Sequence, residues 1–117
     1  MSVSADDAKE MKAIFAGLLA ASEGGTDFIL IPKLPLPVDC DPAAVDALLC
    51  LSPRDGYPSR LFLSAKIKHN GPGQNWNADQ LILGRRWFAV SWKVDGAAAR
   101  PMAILAGHLE AFTCKPK

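Results

Sequence analysis

The sequence predicts an α+β fold with an antiparallel sheet. Helical spacing of apolar residues is confined to the two ends of the chain. Three or four short apolar runs lie between them, and Pro- and Gly-rich turns separate those runs. The chain has 117 residues, one domain's worth, so a single domain over 1–117 is expected. Half of its residues are hydrophobic, enough for a core without disulfides or a metal.

The first helix is expected over residues 4–22. Met11, Ile14, Phe15, Leu18 and Leu19 recur at helical spacing, Asp6 and Asp7 suit the positive end of the dipole, and Gly24-Gly25 ends the helix. Asp27–Pro32 reads as a strand. Lys33-Leu-Pro-Leu-Pro37 follows as an extended piece at a sheet edge, because proline cannot donate to a ladder. Val45–Leu51 and Leu61–Ile67 are further strands, separated by a turn over Ser52–Pro58 that Pro53 and Gly56 punctuate. His69–Gly73 is a loop by composition and continues through Asn75-Trp76-Asn77. Residues 80–94 are extended around a kink at Gly84. Pro101 opens the last helix, with Met102, Leu105, Ala106, Leu109 and Phe112 as its apolar face.

Charge narrows the function classes. Thirteen basic residues stand against twelve acidic ones, for a net charge of +1. A nucleic-acid binder held mainly by phosphate neutralisation is excluded, and so is a disordered acidic chain. No apolar run approaches the length of a membrane span, and the start lacks a basic, then apolar leader. A cytoplasmic protein is therefore expected, with neither nucleic acid nor membrane among its partners.

The chemistry-bearing residues are few. Cys40, Cys50 and Cys114 form no CxxC pair, and His69 and His108 are not at ligand spacing, so no metal and no cofactor is expected. Cys50 sits in the apolar run Leu48–Leu51 and reads as core. Cys40 lies between Asp39 and Asp41, whose carboxylates make it a poor nucleophile. His108 adjoins Leu109 and reads as structural. Trp76, Trp87 and Trp92 are packing residues, or binding hot spots where one is exposed. Gly71-Pro-Gly73 is too short for a phosphate loop, and Pro72 removes an amide that such a loop needs.

One ordered set of short elements is more specific: Leu34-Pro35-Leu36-Pro37, Tyr57-Pro58, His69-Asn70, Gly84-Arg85-Arg86-Trp87 and Trp92, then the last helix. This order resembles the ubiquitin-conjugating (E2, or UBC-like) fold, and most of all the bacterial E2-like families encoded beside ubiquitin-like proteins. The resemblance spans nearly the whole chain. It implies an N-terminal helix, an antiparallel meander of about four strands and a C-terminal crossover helix over 101–113. It also implies a ubiquitin-like protein and an E1-like activating enzyme as partners, with Tyr57, Pro58, Arg85, Arg86 and Trp87 on the partner-binding surface.

The chain departs from the family pattern at the nucleophile. His69-Asn70 lacks the central proline, Ser59-Arg60 follows Tyr57-Pro58, and residues 71–91 contain no cysteine. Counting back from Trp92 places the empty slot near Gly84–Arg86. Two readings follow. In one the cysteine is displaced: Cys114 carries the ubiquitin-like C terminus as a thioester, while His69 and Asn70 organise the loop and donate to the oxyanion. Activation of a thiol near a helix C terminus then needs Lys115, an arginine or His69. In the other the domain is a non-catalytic module that binds a ubiquitin-like protein or an E1-like partner.

Overall fold

A computed structural model describes residues 5–15, 17–37, 40–69, 75–94 and 100–112. The elements run α1 (Ala5–Ile14), β1 (Leu19–Glu23), β2 (Thr26–Pro35), β3 (Cys40–Asp41), β4 (Ala44–Cys50), β5 (Arg60–Leu63), β6 (Lys68–His69), β7 (Trp76–Ile82), β8 (Arg85–Val90) and α2 (Pro101–Leu109), which tightens into a 3₁₀ turn over Glu110–Phe112. The main sheet is antiparallel, in the order β1-β2-β4-β5-β8-β7, and β3 pairs with β6 in a separate short ladder. The α+β class and the antiparallel pairing therefore hold. The sheet has six strands where about four were expected.

The two extra strands lie one at each end of the sheet. The first helix stops at Ile14, not near 22, and Leu19–Glu23 pairs with Thr26–Leu30. Gly24 and Gly25 both have positive φ, 59° and 80°. That is a two-residue hairpin turn, whose twist matches the flanking strands and which only residues tolerant of left-handed backbone can occupy. At the other end, the extended 80–94 stretch is a second tight hairpin. Leu83 and Gly84 take φ of 52° and 79°, and β7 starts as early as Trp76.

The proline-rich piece is half edge, half ladder. β1 pairs with β2 only as far as Leu30, so Pro32 lies beyond that ladder, against Gly17. On its other side β2 keeps pairing with β4, with a bulge between Ile31 and Leu34. Lys33 takes φ of 51° in the bulge, and its amide donates to Asp46 Oδ1 at 2.9 Å.

Two apolar clusters lie on opposite faces of the sheet. On one face Ile31, Ala47, Leu49 and Leu63 pack against Met11 of α1 and against Ile104, Leu105 and Phe112. The ion pair of Arg100 with Glu10, 3.1 Å, joins the two helices. Of the face expected from Met102, Leu105, Ala106, Leu109 and Phe112, Leu105 and Phe112 are buried, while Pro101, Ile104 and His108 take the buried places expected of their neighbours. On the other face Phe28, Leu48, Cys50, Phe62, Ile82 and Trp87 form a cluster built from strands alone. A sheet face without a helix stays dry only if the sheet curls over it. Glu23 at the end of β1 accepts the Leu83 amide of the β7–β8 turn at 3.1 Å, so the two ends of the sheet meet. The Arg54 guanidinium closes the rest, 5.6 Å from the Phe28 ring and 5.7 Å from the Phe62 ring. No described helix is long and apolar enough to cross a membrane.

Candidate functional site

Two groups of residues surround the end of β6 at His69 and the start of β7 at Trp76. The first is a corner made by β3, β6 and the end of α2. Cys40 lies directly opposite His69 in the β3–β6 ladder. The Cys40 thiol donates to the Phe112 carbonyl at 3.4 Å, and the Phe112 ring packs on Trp76, centroids 5.9 Å apart. The last described residue of the chain thus lies against Cys40, the ladder partner of His69. Asn70 and Cys114 lie outside the described residues.

The second group lies at the start of β7. The Ser91 amide donates to the Asn75 carbonyl at 2.7 Å. The Ser91 hydroxyl is 2.9 Å from the Tyr57 hydroxyl, which also accepts from Asn77 Nδ2 at 2.9 Å. These two hydrogen bonds, Ser91 first, favour the phenolate and hold the Tyr57 pKa below the ordinary tyrosine range. Arg60 underlies the group. It is 2% exposed, stacks 4.3 Å from the Tyr57 ring, and donates to Asp55 Oδ2 at 3.0 Å, Asn77 Oδ1 at 2.6 Å and the Val90 carbonyl at 3.0 Å. A buried guanidinium is tolerable only with this degree of pairing. Gln80 extends the network, donating to Asp55 and accepting from Arg54. Tyr57 was anticipated. Asn77, Gln80 and Ser91 were not, because small polar residues scattered along strands carry no periodic signal.

The remaining anticipated residues lie in the Tyr57 turn and on β8. Pro58 sits in the same turn as Tyr57, half-buried. Arg85 pairs with Asp46 at 3.2 Å and lies over the Trp87 ring at 4.8 Å. Arg86 donates to Asp79 and lies over Phe88. Arg85 and Arg86 are exposed, but Trp87 is 1% exposed, and its Nε1 donates to the Ile82 carbonyl at 3.0 Å. Trp87 fills the core, which leaves almost none of its surface for a partner. The slot near Gly84–Arg86 is also remote from the corner. Seven residues of β7 carry the chain roughly 20 Å from the Trp76 end.

Electrostatics sort the thiols and the histidines. Cys50 is fully buried and donates to the Ser52 carbonyl at 3.4 Å; burial pushes its thiol pKa up, which suits a core residue. His108 is 5% exposed, with Nε2 2.8 Å from the Ser59 hydroxyl. Burial, and then the Arg60 charge, lower its pKa to about 4, so the ring is neutral at pH 7. Trp92 Nε1 donates to the Gly107 carbonyl at 2.9 Å, at one wall of a groove of about 370 Å³ between residues 92–94 and α2 that ends at Glu110. Among the described residues no group of three or more His, Cys, Asp or Glu side chains is placed to hold a metal ion. No family model, no curated protein and no solved structure matches this chain.

Proposed function

We propose that this chain is an E2-like component of a ubiquitin-like conjugation pathway, with the thioester carried on Cys114. One observation supports it most. The chain leaves its last helix at Phe112, whose carbonyl is held by Cys40, directly opposite His69. Cys114 follows two residues later, a reach of no more than ~7 Å from Phe112. In the reaction the Cys114 thiolate attacks the thioester carbonyl of a ubiquitin-like C terminus presented by an E1-like enzyme. A tetrahedral oxyanion forms, His69 and Asn70 donate to it, and it collapses with departure of the enzyme's thiolate. An acceptor amine then attacks the new thioester, forms an amide and releases the Cys114 thiol.

A binding module for a ubiquitin-like protein is the second reading. The groove beside Trp92 favours it, since an extended tail can lie there, next to α2, without chemistry. Incubation with an E1-like activating enzyme and a ubiquitin-like protein, plus ATP, separates the two. The carrier reading expects an adduct that thiols dissolve and that Cys114→Ala abolishes. Binding without any adduct in the wild type overturns it in favour of the module.

A further inference from the structure

We propose that the Tyr57 hydroxyl is an activated surface nucleophile, a modification site that takes an acyl group from an activated acyl donor such as an acyl phosphate; the inference stands apart from the carrier reading. Tyr57 is the single tyrosine of the chain. Its oxygen is 2.9 Å from the Ser91 hydroxyl and accepts from Asn77 Nδ2 at 2.9 Å, and both contacts lie at the exposed surface. Two partners leave one side of a phenolate oxygen open for attack. The Arg60 guanidinium lies against the ring, 4.3 Å from its centroid, and its bonds to Asp55, Asn77 and the Val90 carbonyl fix it there. The Arg60 charge favours the phenolate, and the Asp55 carboxylate, shared between Arg60 and Gln80, opposes it. The donors are held in place as well: Asn77 belongs to β7, and the Ser91 amide donates to the Asn75 carbonyl. A phenol set between a hydroxyl, a carboxamide and a cation gains phenolate at neutral pH without the cost of burying its oxygen. Ser59 does not compete as a nucleophile, since it is 3% exposed and its hydroxyl is engaged with His108.

In the step, Tyr57 gives its proton to solvent, and the Ser91 hydroxyl and Asn77 amide donate to the phenolate. The phenolate oxygen attacks the acyl carbon and a tetrahedral intermediate forms. It collapses with cleavage of the bond to the leaving group, which departs with the electron pair and takes up a proton. The products are an aryl ester on Tyr57 and the free leaving group, and nothing is oxidised or reduced. The esterified oxygen has no proton to give and accepts poorly, so the ester also breaks the contacts with Ser91 and Asn77 and changes the surface of the turn.

The test treats the full chain with N-acetylimidazole at neutral pH and follows the acetyl group on Tyr57 by peptide mapping. Only label that hydroxylamine removes is counted, which separates the aryl ester from amides on lysine. Wild type, Ser91→Ala, Ser91→Thr and Asn77→Asp are compared, with N-acetyltyrosinamide as the unactivated reference. Asn77→Asp keeps the oxygen that Arg60 uses, so Arg60 stays paired, but removes the donor to Tyr57. Wild type is expected to react about threefold faster than the reference or more, since the phenolate population rises and only part of that gain is lost in nucleophilicity. Ser91→Ala and Asn77→Asp should fall to the reference rate or below it, and the rate of Ser91→Ala should rise at higher pH than that of wild type. Ser91→Thr, which keeps a hydroxyl, should retain the wild-type rate. A wild-type rate at or below the reference, an equal or faster rate in Ser91→Ala, or labile acetyl on Ser91 in place of Tyr57 overturns the inference. None of these outcomes depends on Cys114, so this inference and the carrier reading fail separately.

Discussion

Arg60 is buried where the turn after β4 meets β5, β7 and β8, and its guanidinium is divided among Asp55, Asn77, the Val90 carbonyl and the Tyr57 ring. A lysine there keeps the charge but has neither the fork nor the flat face. Arg60→Lys is expected to cost about 2–3 kcal/mol in denaturant unfolding, because a hydrogen bond to a charged group is worth about 1.5–3 kcal/mol and more than one is lost. Tyr57→Phe at the exposed end of the same network should cost about 1 kcal/mol or less, since water can replace the lost partners. His108 tests a different term. Its folded pKa of about 4 lies below the ordinary histidine value of 6.5, so the unfolded chain binds the extra proton between those limits. Its contribution is fully present above pH 6.5, falls as pH drops through that window and is gone near pH 4; the pKa gap corresponds to roughly 3 kcal/mol. His108→Gln should flatten unfolding free energy against pH between 6.5 and 4, relative to wild type. An unchanged slope contradicts a buried neutral ring. Asp46 acts in a lower window. The Lys33 amide, and then Arg85, hold its carboxyl below the ordinary value, so its contribution is present above about pH 4 and fades below it.

At the scale of elements, the first hairpin carries the sharpest test. Ala20 is exposed and sits opposite Ile29 in β1. Threonine is favoured over alanine in strands and disfavoured in helices. Ala20→Thr should therefore stabilise by about 0.5 kcal/mol, whereas a helix through residue 20 would make the same change destabilising by about that much. The hairpin is not legible in the sequence, because Leu18 and Leu19 continue a helical spacing and Gly-Gly serves equally as a helix end and as a hairpin turn. The real partner of Leu19–Glu23 is β2, and pairing outweighs propensity. Leu19, 58% exposed, has no buried helix face to join. The last helix was legible since Arg-Pro marks its start, though Pro101, Ile104 and His108 take buried places expected of their neighbours. The turn over 52–58 and the strand before it were legible because proline and glycine bound them, whereas the strand after it ends at Leu63 and not at Ile67, since the apolar run has no proline or glycine to mark its end. The β7–β8 hairpin was readable as extended with a break at Gly84. Its pairing next to β5 was not, since that order depends on Leu63 meeting Phe88 across a long connection.

For the whole molecule, the curl of the sheet was the least legible feature. It depends on contacts between residues 60 apart in the chain, such as Glu23 with the Leu83 amide, and on Arg54 closing over two rings from different strands. The candidate site shows the same division. His69 and Tyr57 stand out as residue types, but the pairing of Cys40 with His69 and the holding of Phe112 by Cys40 come only from the fold. The proposed carrier role requires Cys114 to come to that corner. A spin label on Cys114, placed in the Cys40→Ser variant with Cys50 left buried, measures this most directly through broadening of backbone amide signals. The amide of His69 should be broadened strongly and those of Gly84 and Arg85 should stay sharp. Sharp signals at His69, with broadening elsewhere on the surface, would contradict the proposed carrier.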